Sequence, residues 1–377
     1  MNKILASAQK EIAFLFYTPA VLLVLMVAPL IYPFMYNFLY VNKIETKIPL
    51  SVVDLDRSAA SRDFIRRLSA AQQVRVIGIG ADFSDVQGKI ESGAAGGVII
   101  IPESYERKLL RHERPVLRAF FNTTSFMIAV DAGKGFGEAI AQINKDLLIK
   151  SFSQSGLSDE TALRLAEPLS LRSEAMANTV ESYGDFIIPA LLLLILQQSL
   201  FVGTAMASAR MSKAERRKGF LEIVEATIGR ALPYFILYSV YAGSFFTVQY
   251  RIWKIPFSGS AGVLAALIAV HLLTIIAAGF FIGSLCKSRL TALFIGMFSS
   301  YPMFLLSGLA WPLQAMPKYL QLLSHALPAT QFFPAALAAA RLNAGWRDVQ
   351  APFIYLSTMF LAFSIALFIK LRRASIS

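Results

Sequence analysis

The sequence predicts a polytopic α-helical membrane protein with six transmembrane helices, an outer re-entrant hairpin before the last of them, and an inserted α/β extracytoplasmic domain. Three observations predict it. Of 377 residues, 56% are hydrophobic and only 16% charged, whereas soluble chains carry about a quarter charged residues. Six stretches free of Asp, Glu, Lys and Arg are long enough for the roughly 30 Å hydrocarbon core, which takes about 20 apolar residues. A single long polar segment, residues 41–180, interrupts them.

From the N-terminus, residues 1–18 fit an amphipathic interfacial helix, with Ile4, Leu5, Ala8, Ile12 and Leu15 on one side and Lys3, Ser7, Lys10 and Glu11 towards water. The first span, Pro19–Tyr40, reads as an uncleaved anchor. Its apolar run is too long for a signal peptide, and no small-residue cleavage site precedes Asn42-Lys43.

Residues 41–180 hold 18 basic and 17 acidic residues and alternate between two periodicities. Ile48–Val53, Val74–Ile79, Gly97–Ile101 and Val116–Phe121 read as strands. Ser58–Ala70, Asp82–Glu91, Glu103–Arg111, Ser125–Gln154 and Ser158–Asn178 read as helices, which implies a small α/β domain with a parallel or mixed sheet. Asp54-Leu55-Asp56 lacks the spacing of a calcium loop, and Asp56 or Ser58 reads as a helix cap. Gly93–Gly97 precedes a strand and reads as a tight turn. Gly133–Gly137 lacks the upstream Gly of a phosphate-binding loop.

Five further charge-free stretches follow: Phe186–Ala209, Ala231–Tyr250, Ala261–Cys286, Leu290–Ala310 and Val349–Ile369. Another, Tyr319–Ala340, contains Pro328 and Pro334, which break a continuous helix. A seventh crossing would also carry Lys370, Arg372 and Arg373 to the outside. Residues 311–346 therefore read as a re-entrant outer segment, tolerable where protein or a water-filled cavity covers its backbone. With six spans and the N-terminus inside, the cytoplasmic segments hold 13 basic residues and four acids, while the short outer loops hold five basic residues. That is the positive-inside pattern, with both termini cytoplasmic. The net charge of +12 is thus explained by topology, and nucleic acid is not implied. Cys286 is the only cysteine and the three histidines lie far apart, so neither an internal disulfide nor a local zinc site is predicted.

Two motifs resemble a known family. The segment Arg210-Met-Ser-Lys-Ala-Glu215-Arg216-Arg217-Lys218-Gly219-Phe220-Leu221-Glu222 is close to Glu-Arg/Lys-x-x-Gly-Thr-x-Glu of the permease subunit of type-2 ATP-binding cassette (ABC) exporters, with Phe220 where that family has Thr. Leu306-Ser307-Gly308, Pro312, Met316-Pro317 and Leu327-Pro328-Ala329-Thr330 resemble its outer re-entrant segment. With the topology, the resemblance covers nearly the whole chain and is to the subgroup with a large extracytoplasmic domain between the first two spans. It implies a subunit of the bacterial inner membrane that pairs with a second permease copy or paralogue and with cytoplasmic ABC ATPase subunits. It also implies an envelope adaptor in double-membraned bacteria. No Gly-x-x-x-x-Gly-Lys-[Ser/Thr] motif occurs, so ATP and Mg would be bound by the partner ATPase, and no cofactor or metal is expected in this chain. By the same resemblance residues 1–18 are an elbow helix that braces the ATPase contact.

The candidate coupling residues, in the loop 210–230, are Glu215, Arg216, Arg217, Lys218, Gly219, Phe220 and Glu222. Spacings of three and four make Glu215–Glu222 a short charged helix, with Phe220 and Leu221 as an apolar contact for a groove on the ATPase. Gln197, Gln198, Ser307, Met316 and Pro328 are candidates for the substrate path. Either amide taken alone fits a hydrogen-bonded helix interface better than a substrate path. His271, mid-span, is either a proton relay or a packed side chain, and a proton-coupled transporter would need more titratable groups than this one. A receptor or scaffold with an outer sensing domain would want a cytoplasmic signalling domain, for which the inner loops are too short. The substrate class expected is hydrophobic or amphiphilic.

Overall fold

A computed structural model of the chain describes residues 2–39, 47–111, 113–123, 126–166, 183–209 and 219–376. The chain divides into two compact units, residues 1–43 with 175–377 and residues 44–174.

Among the described residues of the first unit six helices are long and apolar enough to cross a membrane: Pro19–Leu39, Ile187–Ala209, Leu221–Ile252, Ala261–Leu285, Arg289–Leu306 and Trp346–Arg373. Local chemistry sets several of their ends. Pro19 supplies a preset φ in the first turn of the first span. Ser260 and Ser288 cap the fourth and fifth spans by accepting from the amides of Val263 at 3.4 Å and Thr291 at 3.1 Å. The third span is helical from Phe220, so the second half of the predicted loop 210–230 is already span. Wide π-turns at Leu23–Val27 and Phe245–Gln249 let the first and third spans continue without a break.

The second and fourth spans form the buried centre, with the fourth also packed on the sixth span. Their approach depends on Gly279 and Gly283, four residues apart on one face of the fourth span. A Cβ at Gly283 would strike the backbone of Ala205, and one at Gly279 would meet the Thr204 hydroxyl and come within 3.0 Å of the Phe201 carbonyl. Small residues at this spacing let membrane helices pack at backbone distance, where van der Waals contact rather than water exclusion holds them.

Between the fifth and sixth spans, Tyr319–Ala340 is not one helix: Lys318–His325 and Pro328–Arg341 are separate. Pro328 opens the second of these in its first turn, as expected. Pro334 does not break it, contrary to the sequence reading. Burial of Phe332, Phe333, Ala336, Ala339 and Ala340, largely against the fourth span, holds that turn despite the missing amide.

The second unit is a four-stranded sheet in the order β2-β1-β3-β4, with β1 Ile48–Asp54, β2 Val74–Gly80, β3 Gly97–Ile101 and β4 Arg118–Phe121. β1 pairs parallel with β2 and β3, and β4 closes the edge antiparallel. Both faces are covered. Leu50, Val52, Ile99 and Ile101 are buried with Phe64 and Leu68 of helix Ala59–Ala70, and Val53 and Val98 with Val86 of helix Ser84–Glu91. That is why the central strands β1 and β3 are apolar runs rather than alternations. Ser58 caps its helix by accepting from the Ser61 amide at 3.1 Å, whereas the Asp56 carboxylate accepts from the Glu106 amide, at the start of a different helix, at 3.0 Å. Gly133–Gly137 lies within helix Phe126–Gln154 and forms no loop. The predicted helix Ser158–Asn178 is present as Asp159–Ala166, and its remainder lies outside the described residues.

On the surface of this unit the guanidinium of Arg66, then that of Arg67, hydrogen-bond Asp63 and hold its carboxyl below the usual carboxylate range. A depressed folded pKa stabilises above the unfolded value of about 3.9 and is lost as pH falls through the folded one. Because these groups are solvated, Asp63→Asn is expected to cost less than about 1 kcal/mol at pH 7. The deficit should shrink below about pH 4, as thermal unfolding of the full chain at both pH values would show.

Candidate functional site

The N-terminal helix Asn2–Tyr17 lies along the first turns of the third span. Gly229 makes the contact possible, since a Cβ there would strike the Ile4 carbonyl and the Ser7 side chain. The buried residues of this helix are Ala8, Glu11, Phe14 and Leu15, while Leu5 and Ile12 are exposed. The predicted faces are therefore corrected: Glu11, placed towards water by the sequence pattern, is wholly buried.

Glu11 sits at a junction of four helices. Its carboxylate accepts from Arg230 Nε at 3.0 Å and from Tyr234 Oη at 2.7 Å, both on the third span. Arg230 also donates through Nη2 to the Ala207 carbonyl at 2.7 Å, in the last turn of the second span. Its guanidinium lies 5.2 Å from the centroid of the Phe280 ring on the fourth span. A cation at a helix C-terminus satisfies orphan carbonyls and opposes the dipole. The planar guanidinium can meet carboxylate, carbonyl and aromatic face together, which an ammonium cannot. Burying two charges is favourable only when such partners complete the set.

About two turns nearer the start of both helices, Lys3 Nζ meets Glu222 Oε1 at 2.7 Å. The Glu222 carboxylate, by hydrogen bond and then by charge, holds the Lys3 ammonium above its usual range. Of the predicted coupling residues, Glu215, Arg216, Arg217 and Lys218 lie outside the described residues. Gly219 is the extended N-cap of the third span, with φ −64° and ψ 164°, Phe220 begins its helix, and Glu222 is in its first turn. One continuous helix from Glu215 to Glu222 is therefore corrected, because extended backbone at Gly219 separates the two ends. Glu222 gains instead from its place at a helix N-terminus.

The predicted path residues divide into two groups. Gln198 Nε2 donates to Ser300 Oγ at 2.8 Å, and Gln197 Nε2 lies 3.8 Å from Met303 Sδ, so both amides face the fifth span. Ser307, Met316 and Pro328 gather around a separate knot. There Ser324 Oγ donates to the Leu320 carbonyl at 2.8 Å and lies 3.7 Å from Met316 Sδ, and Thr330 Oγ1 donates to the Ser324 carbonyl at 2.6 Å. Ser307 and Pro328 are buried within it. His271 is buried and stacked on Phe332, ring centroids 3.7 Å apart and 8° from parallel. Neither of its ring nitrogens has a hydrogen-bond partner among the described residues.

Sequence reasoning missed the Glu11–Arg230–Tyr234 junction. Its available signal was an acid and a base flanking apolar segments at 219 residues' separation, which a charge count by loop does not pair.

Among known proteins, residues 19–370 match the family described as ABC-2 family transporter protein. The sequence is 24% identical over 333 residues to "Probable multidrug ABC transporter permease YbhR" of Escherichia coli strain K12, covering 86% of each chain. It is 23% identical over 355 residues to "Linearmycin resistance permease protein LnrN" of Bacillus subtilis strain 168, covering 87% of this chain and 88% of that one. To "Probable multidrug ABC transporter permease YbhS" of Escherichia coli strain K12 it is 20% identical over 340 residues, covering 88% of this chain and 86% of that one.

Proposed function

The chain belongs to the ABC-2 family of transporter proteins, and from that premise we propose how its parts serve export. It is a multi-pass membrane protein and the permease subunit of an ABC exporter, with ATP hydrolysed on a separate subunit. The observation that carries this reading is a family match that runs through all six apolar helices rather than through one of them.

The finer reading is ours. Two permeases pair with two cytoplasmic ATPases that hold ATP and Mg, and the substrate is hydrophobic or amphiphilic. The names of the relatives, two multidrug permeases and a linearmycin resistance permease, support that class. The membrane is the bacterial inner membrane with both termini in the cytoplasm, residues 41–180 are extracytoplasmic, and an envelope adaptor meets them. Residues 311–346 re-enter the membrane from outside and close the outer end of the path, to which Gln197, Gln198, Ser307, Met316 and Pro328 belong. Segment 215–222 receives the movement of the ATPase, and the N-terminal helix braces it. Supporting this last step, the N-terminal helix is tied to the third span twice, by Lys3–Glu222 and by Glu11–Arg230.

Co-purification from native membranes tests the function: an ATPase subunit should accompany the permease, and its absence would overturn the reading. In the same preparation Glu215→Gln/Glu222→Gln should lose ATP-dependent transport while inserting normally. Lys3→Gln separates two causes, since equal loss there would assign the role of Glu222 to its bond with Lys3. Orientation is checked by single cysteines in a Cys286→Ser background. Ala70→Cys should react with an impermeant reagent in intact cells, and Ala214→Cys and Ser375→Cys only after permeabilisation.

A further inference from the structure

The second span begins with an unfinished turn. In helix Tyr183–Ala209 the Asp185 carbonyl would accept from the amide four residues on, but that residue is Pro189, which has none. The donor comes from another element: Arg341 Nη1 donates to the Asp185 carbonyl at 2.5 Å. Both residues are buried, Arg341 at 8% exposure. Arg341 is the last residue of helix Pro328–Arg341, and that helix is also bound to the fourth span and to the loop before it. Phe332 stacks on His271. The Ser258 and Gly259 amides donate to the Ala340 carbonyl at 3.1 and 3.2 Å, and Ser258 Oγ donates to the Arg341 carbonyl at 2.7 Å. The second and fourth spans themselves meet at backbone distance near their other ends, where Gly283 faces Ala205. From Asp185 to Ala205 the second span runs some 20 residues, about 30 Å.

We propose that Arg341 is a positioning residue of the transport step. Its bond to the Asp185 carbonyl latches helix Pro328–Arg341 to the second span and holds the outer end of the path shut until ATP-driven movement breaks it. This rests on the reading that residues 311–346 close that end. Helices in contact at backbone distance cannot part without losing the packing that joins them, whereas a side-chain bond can break and re-form. The Gly283 end is thus the pivot. The Arg341 end lies about the thickness of the hydrocarbon core away, where a small tilt gives the largest opening. Pro189 keeps the acceptor available: any other residue there would give the helix its own bond and leave Arg341 a shared oxygen. A bond from a charged donor shifts a closed-to-open equilibrium at least about tenfold.

The test follows a thiol in the full permease, purified with its accompanying ATPase, in a Cys286→Ser background. Ile188, within one turn of Asp185, is 2% exposed. Ile188→Cys should therefore react slowly with an impermeant maleimide without nucleotide, and faster during ATP hydrolysis. Arg341→Met should raise the nucleotide-free rate about tenfold, to the level that ATP gives the parent, and ATP should then add little. Because Arg341→Met also disturbs the packing of a buried side chain, Pro189→Ala is the second variant. It leaves Arg341 in place and returns an amide to the helix. The same rate should rise by a smaller factor, with an unfolding temperature equal to or above the parent's. An unchanged nucleotide-free rate in either assembled variant would overturn the latch. So would an Arg341→Met increase that ATP multiplies by the same factor as in the parent, which marks local fraying. A parent whose labelling ATP leaves unchanged would count against the export reading itself, while the nucleotide-free rates of the variants would still decide the latch.

Discussion

Glu11→Gln is expected to destabilise the permease by about 3–5 kcal/mol, the cost of leaving a buried partner charge uncompensated. The amide keeps the shape of the carboxylate but removes the charge that Arg230 Nε meets at 3.0 Å and one acceptor from the junction. That loss is a large share of the roughly 5–15 kcal/mol that holds a typical domain folded. Thermal unfolding of the detergent-purified protein should show it directly, together with a fall in the yield of protein bound to its ATPase. Removing both charges, in Glu11→Met/Arg230→Met, should recover much of the stability, since apolar replacements of a buried pair are often neutral or better. The recovered protein then separates two roles: stable but inactive, it would assign the pair to coupling, and stable and active, to assembly alone. A Glu11→Gln protein as stable as the parent would mean that Arg230 is solvated without it.

Gly283→Leu should be comparably severe. Ordinary overpacking costs about 1–3 kcal/mol because neighbours can shift. Here a first added carbon meets the backbone of Ala205, and backbone cannot change rotamer. The second and fourth spans must separate along their shared length, exposing the buried centre of the bundle. The expected readout is aggregated material on size exclusion, with a lowered unfolding temperature for whatever remains. Gly262→Ala, in the same helix but with nothing within 4 Å of the added carbon, should be neutral or slightly stabilising. If both variants behave alike, close packing at Gly283 is not what holds the two spans together.

The spans were legible because a charge-free run of membrane length has few other uses, and strands β1 and β3 were legible because burial on both faces makes them mostly apolar rather than alternating. The N-terminal helix was misread for a specific physical reason. Apolar periodicity puts Glu11 on the side away from Leu5 and Ile12 and so towards water, which is correct when a helix has a single apolar neighbour. A helix beside a membrane has two apolar neighbours, lipid and protein, and its exposed leucines do not identify the protein-facing side. That side is marked instead by small and polar residues, Ser7, Ala8 and Glu11, and by Gly229 opposite them. The same ambiguity hid the fit of Gln198 to Ser300, since a lone amide pattern does not say whether its partner is substrate or another span.

The distance along the chain between Glu11 and Arg230, 219 residues, has a consequence for biogenesis. At about 5–20 residues per second, Arg230 follows Glu11 out of the ribosome by roughly 10–40 s. Through that interval a carboxylate destined for complete burial has no cation to meet, and burying it alone would be prohibitive. The N-terminal helix therefore waits in contact with water while the first span inserts and the long polar segment is made. It docks only once the third span is in place. Helix Asn2–Tyr17 is thus locked only after spans made later than itself, and its docking reports that those spans have been correctly threaded.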